Sequence, residues 1–121
     1  DYNSSAMAQN IVNLTITEEL ETEANNILPA DYTLHQNFPN PFNPYTNIRY
    51  DLPKNEEVQI EIFDMLGKKI RLLIYQKQIA GFHQVQWDGK DNLGRPVSSG
   101  MYLYMLKAGQ FKNSKKMVIL K

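Results

Sequence analysis

Glu57-Val58-Gln59-Ile60-Glu61-Ile62-Phe63-Asp64-Met65-Leu66-Gly67-Lys68-Lys69-Ile70-Arg71-Leu72-Leu73-Ile74-Tyr75 is the stretch that decides the fold. Its first half alternates with a period of two. Val58, Ile60 and Ile62 fall on one side and Gln59 and Glu61 on the other, the pattern of a half-buried strand. Asp64-Met65-Leu66-Gly67 reads as a tight turn, with Gly67 supplying a positive φ at its end. Lys69–Tyr75 then resumes with Ile70, Leu72 and Ile74 on one face, completing a hairpin.

The same grammar extends in both directions. Upstream, Thr46–Leu52 alternates through Ile48, Tyr50 and Leu52 and is stopped by Pro53. Downstream, Ala80-Gly81 turns into Phe82–Asp88, which sets His83, Val85 and Trp87 against Gln84 and Gln86. Asp88–Gly100 is a long turn region, and Met101–Lys107 and Phe111–Leu120 follow as the last two strands, joined through Ala108-Gly109. Short strands at regular spacing, with turn chemistry between them, predict an all-β fold, either a sandwich or a small barrel.

Asn37-Phe38-Pro39-Asn40-Pro41-Phe42-Asn43-Pro44 breaks the pattern. Each proline fixes φ and biases its predecessor to extended geometry, so this is a stiff, non-helical loop. Phe38 and Phe42 are the expected anchors holding it to the body. The first 31 residues read as an extension or linker. Ile11–Thr17 suits one short strand, with Val12, Leu14 and Ile16 on one side, and Glu18–Asn26 is acidic and then amide-rich, with a short helix over Glu18–Ala24 as the alternative. Residues 32–121 form the domain.

Composition removes several function classes. Lys plus Arg and Asp plus Glu both number 13 in 121 residues, and this balance argues against a nucleic-acid partner, which calls for a basic stripe. With no cysteine, disulfides, thiolate metal sites and cysteine nucleophiles are excluded. No run reaches the roughly 20 apolar residues of a transmembrane helix. His35 lies near the proline loop and His83 on an apolar strand face, where a packed role outweighs a catalytic one. Glu56, Glu57 and Glu61 read as the solvated start of a strand. No enzyme and no cofactor is expected. Asp88, Asp91 and Asn92 lie close together in Asp88–Gly94, but Lys90 interrupts them and the closing acidic ligand of a calcium loop is missing. Asp and Asn also build turns by bonding nearby amides, which is the reading preferred here over a bound calcium.

Two segments carry more information. Met101–Leu106 is apolar on both faces, which suits a central strand covered on its second face by the N-terminal tail or the proline loop. The alternative is a docking surface. The last strand, Lys112–Lys121, flanks Met117-Val118-Ile119-Leu120 with lysines, a device against edge pairing. Such a strand could equally be offered to a receptor by β-augmentation.

In order, Asn37-Phe38-Pro39-Asn40-Pro41-Phe42, Ile62-Phe63-Asp64-Met65-Leu66-Gly67-Lys68, Ser99-Gly100-Met101-Tyr102 and Lys115-Lys116-Met117-Val118-Ile119 resemble the (type A) C-terminal sorting domains of type IX secretion cargo in the Bacteroidetes and related phyla. Trp87-Asp88-Gly89-Lys90-Asp91 through Gly100-Met101-Tyr102 is also similar to the Ig-like domain of flagellar hook-capping proteins. The resemblance covers Tyr32 to Lys121. It implies an all-β, immunoglobulin-like antiparallel β-sandwich of about seven strands, a non-catalytic module at the end of a larger exported protein. That protein would be secreted or held at the surface of a Gram-negative-type bacterium after passing through the periplasm. Its implied partners are the outer-membrane translocon, a sortase-like peptidase and a covalently linked upstream cargo domain, with cleavage somewhere in Thr17–Ala30. The residues it nominates for recognition are Pro39, Asn40 and Pro41, then Gly100 and Tyr102, then Lys115, Lys116, Val118, Ile119, Leu120 and Lys121. The competing reading is a structural or carbohydrate-binding Ig-like accessory module of an extracellular hydrolase. Burial of Tyr50, Tyr75 and Trp87 would weaken it, because sugar platforms expose their aromatics.

Overall fold

The computed structural model describes residues 27–121. The segments read as strand 11–17 and as linker 18–26 lie outside them. Seven strands follow one another: β1 (Thr33–Leu34), β2 (Thr46–Leu52), β3 (Glu56–Asp64), β4 (Lys69–Gln78), β5 (Gly81–Trp87), β6 (Gly100–Ala108) and β7 (Phe111–Ile119). They form two antiparallel sheets, ordered β1-β2-β5 and β4-β3-β6-β7. The connections β2–β3, β4–β5 and β5–β6 change sheet, giving an immunoglobulin-like sandwich. Between the sheets lie Ile48, Tyr50 and Leu52 of β2, Val58, Ile60 and Ile62 of β3, and Tyr104 and Leu106 of β6, all fully buried. Strand, turn and core positions therefore follow the period-two reading closely.

Four local readings need correction. The two-residue β1 gave no alternating signal, because only Thr33 and Leu34 pair with Asp51 and Tyr50. In β4 the expected inward set Ile70, Leu72 and Ile74 is broken by register shifts against β3, between Ile60 and Glu61 and between Ile62 and Phe63. Each inserts an extra residue, as a β-bulge does. Ile70, Leu73 and Ile74 pack on the core while Leu72 turns outward, 41% exposed. Glu61 is not solvated. It is 6% exposed, because β3 is an inner strand and Leu72 of β4 and Met105 of β6 are its cross-strand neighbours. Its Oε1 accepts a hydrogen bond from Gln59 Nε2 at 3.2 Å. Finally, the two phenylalanines of the proline loop behave oppositely: Phe42 is 2% exposed and Phe38 76%.

Candidate functional site

The proline loop leaves the three-stranded sheet after β1 and lies along the outer edge of β7, in the other sheet. At its start, buried Asn37 donates through Nδ2 to Thr46 Oγ1 (2.9 Å) and to the Pro39 carbonyl (3.2 Å), and Thr46 Oγ1 donates to the same carbonyl (2.8 Å). The Tyr104 hydroxyl on β6 donates to the His35 carbonyl (2.7 Å) and accepts from the Asn37 amide (2.8 Å). Burial pushes the Tyr104 phenol up to about 12. Two backbone groups that a loop would otherwise leave unpaired beside the core are thus satisfied by one inner-strand side chain.

Further along, the loop meets β7 itself. Gln36 Nε2 donates to the Lys116 carbonyl (2.7 Å) and the Val118 amide donates to Asn40 Oδ1 (2.9 Å). The Phe42 amide donates to the Val118 carbonyl and the Leu120 amide to the Phe42 carbonyl, both at 3.0 Å. Phe42 and Ile119 form an isolated parallel bridge. The edge of β7 from Lys116 to Leu120 is therefore closed by the loop, and β-augmentation along it would require the loop to leave.

The Phe42 ring anchors this clasp. It lies 5.7 Å from Trp87, tilted at 57°, and Trp87 lies 5.8 Å from Tyr102 in an edge-on arrangement at 71°. Trp87 Nε1 donates to the Lys90 carbonyl (2.9 Å) and the Tyr102 hydroxyl to the Ser98 carbonyl (2.7 Å). Gly89, at φ +74°, passes so close that a Cβ there would sit 3.2 Å from both Ile119 Cδ1 and the Pro44 carbonyl oxygen. Only glycine combines that backbone with that approach. Phe42, Trp87-Asp88-Gly89, Tyr102 and Ile119 come from four separated stretches and meet at one end of the sandwich.

Most of the nominated residues are brought to this end, in different roles. Pro39, Asn40 and Pro41 are exposed on the loop beside Val118 and Leu120. Gly100 is the Cα partner of Ile119 and Tyr102 that of Met117. Tyr102 and Ile119 are core residues and offer no surface. Lys115 faces inward, half-buried, opposite Tyr104, whereas Lys116 and Leu120 are exposed. The Lys121 amide donates to Ser99 Oγ (3.0 Å) and its ammonium reaches the Val97 carbonyl. An open groove of about 440 Å³ adjoins the site, where Asp64, Met65 and Ile70 face Val97, Ser99 and Met101. It brings the Ile62–Lys68 turn to the same end. Missed from the sequence were Gln36 and Thr46, whose single polar side chains carry no local pattern.

The calcium candidates are engaged elsewhere. Asp88 Oδ1 accepts from the Lys90 amide (3.1 Å), and Asn92 Oδ1 from the Leu72 amide (2.9 Å). Asp91 Oδ1 accepts from the amides of Leu93 and Arg95, both at 2.9 Å, and Oδ2 from Arg95 Nε (3.1 Å). Those bonds, the Arg95 amide first, hold the Asp91 carboxyl below its ordinary range. This is turn chemistry. Of the histidines, His35 pairs with Asp51 at 3.0 Å, and His83 stacks on Tyr50 with Nε2 donating to the Ile79 carbonyl at 2.7 Å. Tyr50 and Trp87 are fully buried and only Tyr75 is exposed, so the three do not form a sugar platform.

Residues 36–120 match the family model for the secretion system C-terminal sorting domain. Three solved structures share the fold. One is dimeric latent PorU from Porphyromonas gingivalis, at 22% identity and a TM-score of 0.57, with 74% of this chain and 9% of that one covered. Another is PorZ, an essential surface component of the type IX secretion system of the same organism, at 18% identity and 0.50, covering 73% of this chain and 11% of that one. The third is FlgD from Pseudomonas aeruginosa, at 20% identity and 0.51, covering 76% and 68%. The chain thus corresponds to about a tenth of PorU and of PorZ. No curated protein matches it.

Proposed function

The chain belongs to the family of secretion system C-terminal sorting domains, and on that premise we propose that it is a non-catalytic sorting module read in the folded state by an outer-membrane type IX translocon. The observation that carries this reading is the clasp. Asn40 and Phe42 hold the outer edge of β7 by hydrogen bonds to Val118 and Leu120, so the family's proline motif and its lysine-flanked last strand form one surface. A linear signal would need no such closure.

Within that surface, Pro39, Asn40, Pro41, Lys116, Leu120 and Lys121 make the direct contacts, and Lys115 and Val118 flank them. Gly100, Tyr102 and Ile119 act by shaping the fold. The domain begins at Tyr32, whose ring stacks on Phe111 at 5.2 Å and whose hydroxyl donates to Glu56 Oε1 at 2.6 Å. Residues 1–31 link it to an upstream cargo, and a sortase-like peptidase cuts in the stretch before the fold. The cargo is released or anchored at the cell surface after crossing the periplasm.

Deleting Lys115–Lys121 cannot test this cleanly, because it removes Met117 and Ile119 from the core. A sharper experiment fuses Tyr32–Lys121 to a reporter in a host with this secretion system and compares the parent with K116E/L120E/K121E, which alters only exposed side chains. The parent should reach the medium or the cell surface. The triple variant should stay in the periplasm while melting at the parent's temperature. Export of both, or of neither, would refute recognition through this surface.

A further inference from the structure

Two turns of this chain are built alike. Asp64-Met65-Leu66-Gly67-Lys68 and Asp91-Asn92-Leu93-Gly94-Arg95 share an aspartate, a leucine two residues on, then a glycine and a cation. Their hydrogen bonds match one for one. Asp64 Oδ1 accepts from the amides of Leu66 and Lys68, both at 2.9 Å, as Asp91 Oδ1 does from those of Leu93 and Arg95. In each turn the glycine amide donates to the aspartate carbonyl (3.1 and 3.0 Å), and the aspartate amide to the carbonyl of the closing cation (3.0 and 2.9 Å). Gly67 and Gly94 take φ of +85° and +79°.

This geometry calls for the aspartate and the glycine. It does not call for the leucine, of which only the amide takes part. The side chain stands in solvent, 95% exposed at Leu66 and 75% at Leu93. A single exposed leucine is ordinary surface. Two at equivalent positions of neighbouring turns form a pair. The turns are tied side by side, because the Asn92 amide donates to the Ile70 carbonyl (3.1 Å) and Asn92 Oδ1 accepts from the Leu72 amide (2.9 Å).

Residues 64–71 and 88–95 together carry five cations and three carboxylates, a formal +2. The carboxylates are engaged at the bases of the turns. Asp64 and Asp91 hold the amides just named, and Asp91 also holds Arg95 Nε. Asp88 accepts from the Lys90 amide and, at 3.5 Å, from Arg71 Nη1. Among the described residues, no carboxylate lies within 4.0 Å of the Lys68, Lys69 or Lys90 ammonium. Lys68, Lys69 and Arg95 line, with Leu93, one open concavity of about 190 Å³.

We infer that these two leucine-tipped turns dock the domain on an anionic membrane surface. Leu66 and Leu93 enter the apolar boundary while Lys68, Lys69 and Arg95 rest among the headgroup phosphates. The shape selects this occupant, since both tips are convex. A protein partner would need two matching pockets, whereas a bilayer yields to any projecting side chain. The spacing selects it too. Each leucine is followed two residues later by a cation, so apolar tip and charge stand together as acyl layer and headgroup do. The unpaired lysines and the net positive charge complement anionic lipid. This surface lies across the 440 Å³ groove from Val97 and Ser99, apart from the clasp, and the inference does not rest on the sorting role.

Co-sedimentation of the full chain with vesicles tests it. Phosphatidylcholine vesicles containing phosphatidylglycerol should bind the parent, and phosphatidylcholine alone should bind it about tenfold more weakly. L66S/L93S keeps every backbone bond of the turns and should melt at the parent's temperature, yet lose about tenfold in affinity for the anionic vesicles. K68S/K69S should lose about tenfold as well. The absence of cysteine allows a second readout. L66C carrying an environment-sensitive dye should brighten on the anionic vesicles, whereas Q84C, outward on the other sheet, should not. Failure of the parent to bind anionic vesicles would overturn the inference, as would equal binding by L66S/L93S or equal brightening at both labels. Self-association of the parent without lipid, abolished in L66S/L93S, would give the tips to a second copy and overturn it too.

Discussion

Two loops rich in turn residues lie at the same end of the sandwich, and they spend their polar side chains differently. In Asp88–Ser99 the aspartates close mostly on their own loop: Asp88 bonds the Lys90 amide and Asp91 those of Leu93 and Arg95. In Asn37–Pro44 the partners are remote: Asn37 meets Tyr104 on β6, and Asn40 meets Val118 on β7. The first loop holds its own shape, whereas the second holds the fold's last strand. Composition alone does not separate them. What separates them is the sequence distance over which their bonds act, and that distance marks the proline loop as the part whose loss exposes a strand edge.

The comparison can be broken most forcefully at its anchor. Phe42→Ala removes a buried ring packed on Trp87 and should cost about 3–5 kcal/mol in urea unfolding. Phe38→Ala, with its ring in solvent, should stay within about 0.5 kcal/mol. Equal costs would mean that the loop does not distinguish its two rings.

Tyr104→Phe comes next. It leaves the His35 carbonyl and the Asn37 amide without a partner and should cost about 1–3 kcal/mol at neutral pH. The sign of the alkaline effect follows from the raised phenol. Its contribution is complete below the unfolded value of about 10 and is lost as pH rises through about 12. The parent should therefore destabilise over that window more steeply than Tyr104→Phe. Parallel pH–stability curves would contradict the assigned burial.

Asn40→Ala should cost about 1 kcal/mol, since the Val118 amide it frees can reach water. The smallest effect belongs to the self-contained loop. Asp91→Ala should lower stability slightly at neutral pH without disturbing β7. Because the Asp91 carboxyl is held low in the fold, its contribution is present above the ordinary value of about 3.9 and lost as pH falls through the folded one. The gap between variant and parent should close in acid. A gap that widens in acid would contradict the turn assignment.

The parts of this arrangement that were legible in the sequence are those set by neighbours along the chain. Alternation in β2, β3 and β5 placed the core, and the glycine turn at Gly67 and the stiffness of the proline stretch came from local backbone rules. What escaped needed neighbours in space. The run Ile70-Arg71-Leu72-Leu73-Ile74 has apolar residues at both parities, so nothing local announces the bulges that turn Leu72 outward. Burial of Glu61 follows from that outward turn and from Met105 on the other side. Phe38 and Phe42 each precede a proline or an Asn-Pro pair, and only the position of Trp87 decides which ring goes in. The motifs of the site were visible singly. Their convergence on Val118 and Ile119 was not, because it joins residues some 80 positions apart.

The clasp itself is tested most directly by hydrogen exchange at the Val118 and Leu120 amides. Both point away from β6, and on an open edge strand they would exchange freely. The account predicts protection of both in the parent, with Asn40→Ala releasing Val118 far more than Leu120, whose acceptor is the Phe42 backbone. Exchange at both amides in the parent as fast as in an unstructured chain would contradict it.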